Sequence, residues 1–271
     1  MGVSIDYGSL AFFECVSRFS VGVVNTKQEN VTENQTTDTV GSATAIMWLG
    51  SALLLTARHV VEGASVSELE FMPQSTPALV LKRSGTPFQN FDLQSRMQFP
   101  IQKILLCDWA DLAVIVLATA DCHRYMEYYK WDATLTTPEP GTSLYGLGLQ
   151  ADRSSVIDQS VKHRQLETTM AAAKHIITCK VVGQEKGRYV KNFDPECHFL
   201  TDYGDLSREF RPHGFSGCGW WRYKDQESLI WTASPIFSGV EFAYASSGNL
   251  LINVRPEKVT AFLEEAGARI R

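Results

Sequence analysis

Hydrophobic positions along the chain come in short runs set between polar, glycine- or proline-containing stretches. In the first half these runs are Phe19–Val24, Ala43–Trp48, Ala52–Thr56, Leu79–Lys82, Ile101–Leu106 and Leu112–Leu117. After the Pro/Gly-containing segment Thr137–Gly141 they resume at Ser143–Gly146, Ile176–Val182, His198–Thr201, Cys218–Tyr223, Leu229–Thr232, Pro235–Tyr244 and Leu250–Val254. Runs of this length, rich in β-branched and aromatic residues and bounded by turn formers, predict strands. So many at short spacing predict an all-β sandwich or barrel. The period changes at the end of the chain. Over Arg255–Ile270, Val259, Phe262, Leu263 and Ala266 recur at helical spacing behind Pro256, which suits a first helical turn. Two stretches fit neither pattern. Gln159–Ala173, with its Ala-rich Thr168–Lys174, reads as a short helix or a mobile insertion, and the polar Asn25–Thr39 as an exposed, mobile loop. The layout is two β-rich halves joined near residues 125–142, plus a terminal helix, with no repeat of fixed period.

Composition narrows the classes. The 271 residues are 44% hydrophobic and 20% charged, ordinary globular usage. At about 150 residues per domain the length corresponds to just under two. Lys and Arg number 25 against 30 Asp and Glu, a net charge of −5, and no basic run offers itself to a nucleic-acid backbone. The longest apolar runs fall far short of the roughly 18 residues that span a bilayer, so no membrane partner is expected. The start, Met1-Gly2-Val3-Ser4-Ile5-Asp6, has no basic region and does not read as a secretory signal; Asp6 stands where a myristoylation pattern wants Ser or Thr. Six cysteines are too sparse for a disulfide scaffold, and none forms a CxxC pair. The dipeptides Cys122-His123 and Cys197-His198 place neighbouring side chains on opposite faces of an extended chain, which disfavours a shared metal. Neither a metal nor a cofactor is expected. Buried, reduced thiols in a cytoplasmic protein are the natural reading, and the triplets Asn30-Val31-Thr32 and Asn34-Gln35-Thr36 then have no glycosylation role.

Three stretches carry candidate chemistry. Leu53-Leu54-Leu55-Thr56-Ala57-Arg58-His59 runs a buried strand into a small-residue turn that presents His59. Asp108-Trp109-Ala110-Asp111-Leu112-Ala113 places an acid, Asp111 or Asp108, before another buried strand. Pro212-His213-Gly214-Phe215-Ser216-Gly217-Cys218 flanks a serine with glycines, which permit a tight turn and close backbone approach to a reacting carbonyl. Each alone has an ordinary structural reading. Together, in the order His…Asp…Ser, they supply a nucleophile, a base and an orienting acid. The α/β-hydrolase elbow does not fit: the residue two beyond Ser216 is Cys218 rather than glycine, and that fold orders its triad Ser…Asp…His.

Thr56-Ala57-Arg58-His59, Asp111-Leu112-Ala113 and Gly214-Phe215-Ser216-Gly217 resemble the signature blocks of the trypsin-like (chymotrypsin-fold) serine peptidases. Gly41-Ser42-Ala43-Thr44-Ala45, Tyr145-Gly146-Leu147-Gly148 and Phe237-Ser238-Gly239-Val240 are similar to further strands of that family, over roughly residues 15–265. The resemblance implies an all-β unit of two six-stranded antiparallel barrels with a C-terminal helix. It would fill 1–271 as one peptidase, with barrels at 15–125 and 142–254 and the helix at 255–271. It implies His59 as base, Asp111 as its orienter (preferred over Asp108 because Leu112-Ala113 follows) and Ser216 as nucleophile. The backbone N–H groups of Gly214 and Ser216 become the oxyanion donors. Protein or peptide substrates would pair with the segment around Val240–Ala243, with Phe210, His213, Val240, Glu241 and Phe242 near the pocket.

Departures from the family are informative. Val60 and Pro212 occupy positions where many secreted members carry disulfide cysteines. Phe215 stands where digestive members carry the aspartate that pairs with a new N-terminus after zymogen cleavage. Activation by that route is excluded, which resembles the intracellular bacterial-type members. The same departures allow a second reading: a latent or non-catalytic module on this fold that acts with a regulatory protein partner, such as a regulated bacterial defence effector.

Overall fold

The computed structural model describes residues 12, 15–25, 39–73, 89–95, 97–118, 126–162, 165–204, 212–223 and 235–270; for 39–40, 73, 89–95, 150–162 and 165–176 it describes the backbone alone. The apolar runs form strands where their composition predicts them. The first sheet is built from β1 (Ser20–Asn25), β2 (Thr39–Trp48), β3 (Ser51–Thr56), β4 (Leu69–Pro73), β6 (Ile101–Leu106) and β7 (Ala113–Leu117). Its antiparallel order is β4-β1-β2-β3-β7-β6, and the short β8 (Tyr129–Lys130) adds parallel to β2. A bridge between Phe71 and Met97 draws the ends of this path together. The second sheet contains β9 (Ser143–Lys162), β10 (Gln165–Val182), β11 (His198–Asp202), β12 (Gly219–Tyr223), β13 (Pro235–Ala245) and β14 (Leu250–Val254). Its order is β11-β14-β13-β12-β9-β10, and pairing of β10 with β11 closes it into a barrel.

Two features depart from the sequence expectation. Residues 159–162 and 165–173 are not helix: they belong to the antiparallel strands β9 and β10. The register shifts between Thr169 and Met170 and again between Ala171 and Ala173. Pairing on both sides overrides the helical preference of the alanines, since strand formation depends more on neighbours than on intrinsic propensity. One of those neighbours is β5 (Gln89–Ser95), a segment of the first half that joins the second sheet by pairing with β10. Expectations for Leu79–Lys82, Leu229–Thr232, most of Asn25–Thr39 and Cys122-His123 fall outside the described residues.

The C-terminal helix spans Pro256–Ile270 and buries the face read from its spacing, Val259, Phe262, Leu263 and Ala266, together with Ile270. Burying the Val, Phe, Leu and Ile side chains stabilises by roughly 1.5–3 kcal/mol each, and the single methyl of Ala266 by less. Polar contacts fix its roll: Trp131 Nε1 donates to Thr260 Oγ1 at 3.2 Å, and Thr137 bonds to Glu257 through both its backbone and its hydroxyl. The two barrels meet through aromatic rings. Tyr129 meets Trp221 edge-on at 5.0 Å, and Trp131 packs on Phe237 at 4.9 Å. One apolar cluster therefore runs from the first barrel through this junction into the second barrel and the helix. Cys15, Cys107, Cys179, Cys197 and Cys218 are free thiols. Burial pushes the Cys179 thiol up to about 12 and that of Cys218 well above its ordinary range. No helix among the described residues is long and apolar enough to cross a membrane.

Candidate active site

His59 sits on a single helical turn, Arg58–Val61, that follows β3 directly, with Val60 and Val61 buried beneath it. The turn is held from three sides. Asn25 Nδ2, at the end of β1, donates to Val60 O at 3.2 Å. Arg58 donates to Cys107 O at 2.9 Å and pairs with Glu62, so the guanidinium ties the helix to the loop that carries the acids. Of the two candidate acids, Asp111 reaches His59. Its Oδ2 lies 2.6 Å from His59 Nδ1, and its Oδ1 accepts the His59 backbone N–H at 3.0 Å. The Asp108 side chain is 94% exposed and approaches Arg58 at 3.7 Å. Burial alone would raise the Asp111 carboxyl, but hydrogen bonds and charge from His59, with the backbone N–H groups of His59 and Arg58, outweigh it and hold the group below its ordinary value. A carboxylate on Nδ1 fixes the ring tautomer and leaves Nε2 as an acceptor.

The serine turn is two β-turns in series. Phe215 N donates to Pro212 O at 3.1 Å, and Cys218 N to Phe215 O at 2.7 Å. The third residue of each is a glycine at positive φ, +92° for Gly214 and +93° for Gly217, while His213 and Ser216 keep negative φ. That is the type II pattern, which is why glycine stands on both sides of Ser216. A Cβ at Gly217 would lie 1.9 Å from Ser42 O and 2.3 Å from Thr56 Oγ1. Phe215 between them is 1% exposed and plugs the core of the second barrel, its ring against Gly148.

The other barrel grips this turn through Ser42 on β2. Ser42 N donates to Ser216 O at 2.8 Å, Ser42 Oγ donates to Gly214 O at 2.7 Å, and the same hydroxyl accepts Leu149 N at 2.9 Å. Thr56 Oγ1 donates to Ser42 O at 2.7 Å. From the second barrel, Gly217 N donates to Glu241 O at 2.8 Å and Glu241 N to Cys218 O at 3.0 Å, locking β13 onto the turn. With Phe215, Gly217 and Cys218 N–H groups engaged, those of Gly214 and Ser216 donate no hydrogen bond among the described residues. A backbone N–H with no partner among the described residues is left to bond water or a ligand, and two so close together in one turn can receive an anion.

Ser42 and Thr56 were not assigned roles from sequence; the one signal was the Gly41-Ser42 pair ahead of an apolar strand. Of the pocket residues expected, Val240 is fully buried and Phe242 packs on the His198 ring at 4.6 Å. His213 is exposed and Phe210 lies outside the described residues. Glu241 is 1% exposed, with Asp111 and the Ser216 side chain close enough to act on its carboxyl and its Oε2 lacking a hydrogen-bond partner among the described residues. Burial first, then the Asp111 charge, push that carboxyl up to about 8. Within the described residues the hydrogen bonds of His59 end at Asp111 and do not extend to Ser216. His198 of the Cys197-His198 pair accepts Asp194 N on Nδ1, and no group of three metal-ligating side chains exists among the described residues.

An imidazole oriented by a carboxylate and a serine on a glycine turn with two unspent N–H groups suit acyl transfer. The fold is chymotrypsin-like. The crystal structure of scabies mite inactivated protease paralogue S-I1 is similar at a TM-score of 0.57 and 14% identity, with 94% of this chain and 96% of that chain covered. The S-D1 paralogue from the same mite gives a TM-score of 0.56 and 14% identity over 93% of both chains. No protein-family model matches the chain, and no curated protein does.

Proposed function

We propose that the chain is a serine endopeptidase that hydrolyses peptide bonds through an acyl-enzyme, with Ser216 as nucleophile, His59 as base and Asp111 as its orienter. One observation carries this reading: within the serine turn, the two backbone N–H groups that donate to no other described residue are those of Gly214 and Ser216. Every other donor from Phe215 to Cys218 is engaged, so the turn offers its free dipoles where an oxyanion would form; each such donor is worth roughly 3 kcal/mol. His59 takes the serine proton and returns it to the leaving amine, while Asp111 stabilises the imidazolium. Catalytic hydrogen bonds commonly tighten only when substrate binds, which accommodates a His59 whose hydrogen bonds end at Asp111.

Substrate binding follows from the sheet. Pairing of β12 with β13 stops at Gly219 opposite Val240, so the edge beyond Glu241 is left for an extended peptide on that side. Phe215 supports competence without zymogen cleavage, because a buried ring anchors the turn where digestive members use a charged pair. Free thiols, with Val60 and Pro212 in place of disulfide cysteines, support a cytoplasmic, intracellular bacterial-type member. That His59 makes no hydrogen bond to Ser216 among the described residues favours a second reading, a latent module completed by a regulatory protein.

A fluorophosphonate probe separates these. The first reading expects labelling of Ser216 that is lost in Ser216→Ala and His59→Ala and reduced on the order of 10⁴-fold in Asp111→Asn. Labelling that depends on an added protein partner supports latency. No labelling under either condition overturns both catalytic readings.

A further inference from the structure

Glu241 is the one acid among the expected site residues that the mechanism above leaves unused, and its placement is unusual. It lies on β13 between Val240 and Phe242, both buried, where the β13–β14 register shifts between Glu241 and Ala243. That bulge breaks the alternation of a strand and lets consecutive side chains face inward. The Glu241 backbone is locked to the serine turn by the bonds to Gly217 and Cys218, so its carboxyl has little freedom to leave. It faces Ser216 on that turn, Asp111 ahead of β7, Cys218 on the same turn and Tyr203 at the end of β11. Among the described residues, no lysine or arginine stands among the groups acting on it.

Resting on the serine-peptidase reading, we infer that Glu241 is a positioning residue for Ser216: its neutral carboxylic acid orients the nucleophile, and loss of its proton shuts the site down on the alkaline side. The logic is one of donors and acceptors. A protonated carboxyl donates its O–H to Ser216 Oγ, which leaves the serine hydrogen free to turn to His59. A carboxylate can only accept, so the serine hydroxyl donates to it and is drawn away from its base. The charged form also places a second negative group beside Asp111 and next to the developing oxyanion. Burial pushes both neighbouring groups that could titrate on the alkaline side, Cys218 and Tyr203, upward, so they stay neutral while Glu241 ionises.

The test is the ratio of fluorophosphonate labelling rates at pH 9 and pH 7. With the carboxyl titrating at about 8, the wild-type rate falls about tenfold across that interval. In Glu241→Gln, whose amide donates at every pH, the ratio stays near one. In Glu241→Met, which has neither donor nor charge, the fall is absent and the rate at pH 7 is lower than wild type. An equal alkaline fall in wild type and E241Q, or wild-type labelling by E241M at pH 7, overturns the inference and leaves the peptidase reading standing. Thermal melting of both variants establishes that they fold. The infrared difference spectrum of wild type minus E241Q reads the proton directly. A protonated-carboxyl band at pH 7 that disappears in alkali supports the inference, and its absence at pH 7 overturns it whatever the labelling shows. A wild type that carries the band yet labels at no pH overturns the peptidase reading instead.

Discussion

Deleting one hydroxyl, in Ser42→Ala, tests whether the first barrel sets the geometry of the serine turn. Ser42 Oγ donates to Gly214 O at 2.7 Å and accepts Leu149 N at 2.9 Å, both in buried surroundings. Alanine leaves both backbone groups without a partner and is too small to let in much else. A buried polar group left unsatisfied costs roughly 1–3 kcal/mol, and two that share one hydroxyl do not simply add. A loss of about 2–4 kcal/mol is expected, which for a chain of this size lowers the melting temperature by about 4–12 °C. The second consequence is chemical. Gly214 O and Gly214 N–H belong to consecutive peptide units, so a carbonyl released from Ser42 allows the proposed oxyanion donor to swing. Losing one such donor outright costs about 10²–10³ in rate, and partial loss here is expected to slow fluorophosphonate labelling between about 10- and 100-fold. Melting and labelling are measured on the same preparation. A variant that melts and labels like wild type refutes the clamp. One that melts earlier but labels at the wild-type rate reduces Ser42 to a bond between barrels with no hold on the turn.

Three further outcomes follow from the same geometry. Gly217→Ala drives a methyl against Ser42 O and Thr56 Oγ1 at positive φ, and is expected to unfold or to melt far below wild type, measured by soluble yield and circular dichroism. Phe215→Asp puts a carboxylate into the core of the second barrel, where the described neighbours are apolar; a loss of at least about 3 kcal/mol in urea unfolding is expected, and a stability equal to wild type refutes the anchoring role. Glu241 binds its proton more tightly folded than unfolded, so the unfolded chain carries fewer protons between the ordinary 4.5 and about 8, and wild-type stability falls as pH rises through that window. Urea unfolding of E241Q should therefore gain on wild type steadily from pH 5 to pH 8, and a constant difference contradicts the raised value.

Where short apolar runs were bounded by turn formers, as in Ala52–Thr56 and Leu250–Val254, sequence and strand coincide, because a buried strand must be apolar on both faces and turns must be punctuated. The C-terminal helix was legible for a similar reason: a stripe of four apolar residues can be buried in only one way. The β9–β10 hairpin was not, since Ala and Lys carry no strand signal and its partner β5 contributes only Phe91 and Leu93 as apolar residues. The catalytic candidates stood out through residue order and glycine spacing. Ser42, Thr56 and the inward turn of Glu241 did not. Their roles arise from contacts across barrels and from a bulge, neither of which leaves a periodic trace in the chain.

The crossing of β5 into the second sheet has a consequence for how the molecule is made. A strand from the first half finds its partner, β10, only after the residues up to His175 have been synthesised. Until then the N-terminal half emerges with an unsatisfied edge, and the turn that bears Ser216 is later still in the chain. On the serine-peptidase reading, the order of translation itself therefore withholds a complete site until both halves have been made. A chain interrupted between the halves should yield fragments that acquire reactivity only on mixing.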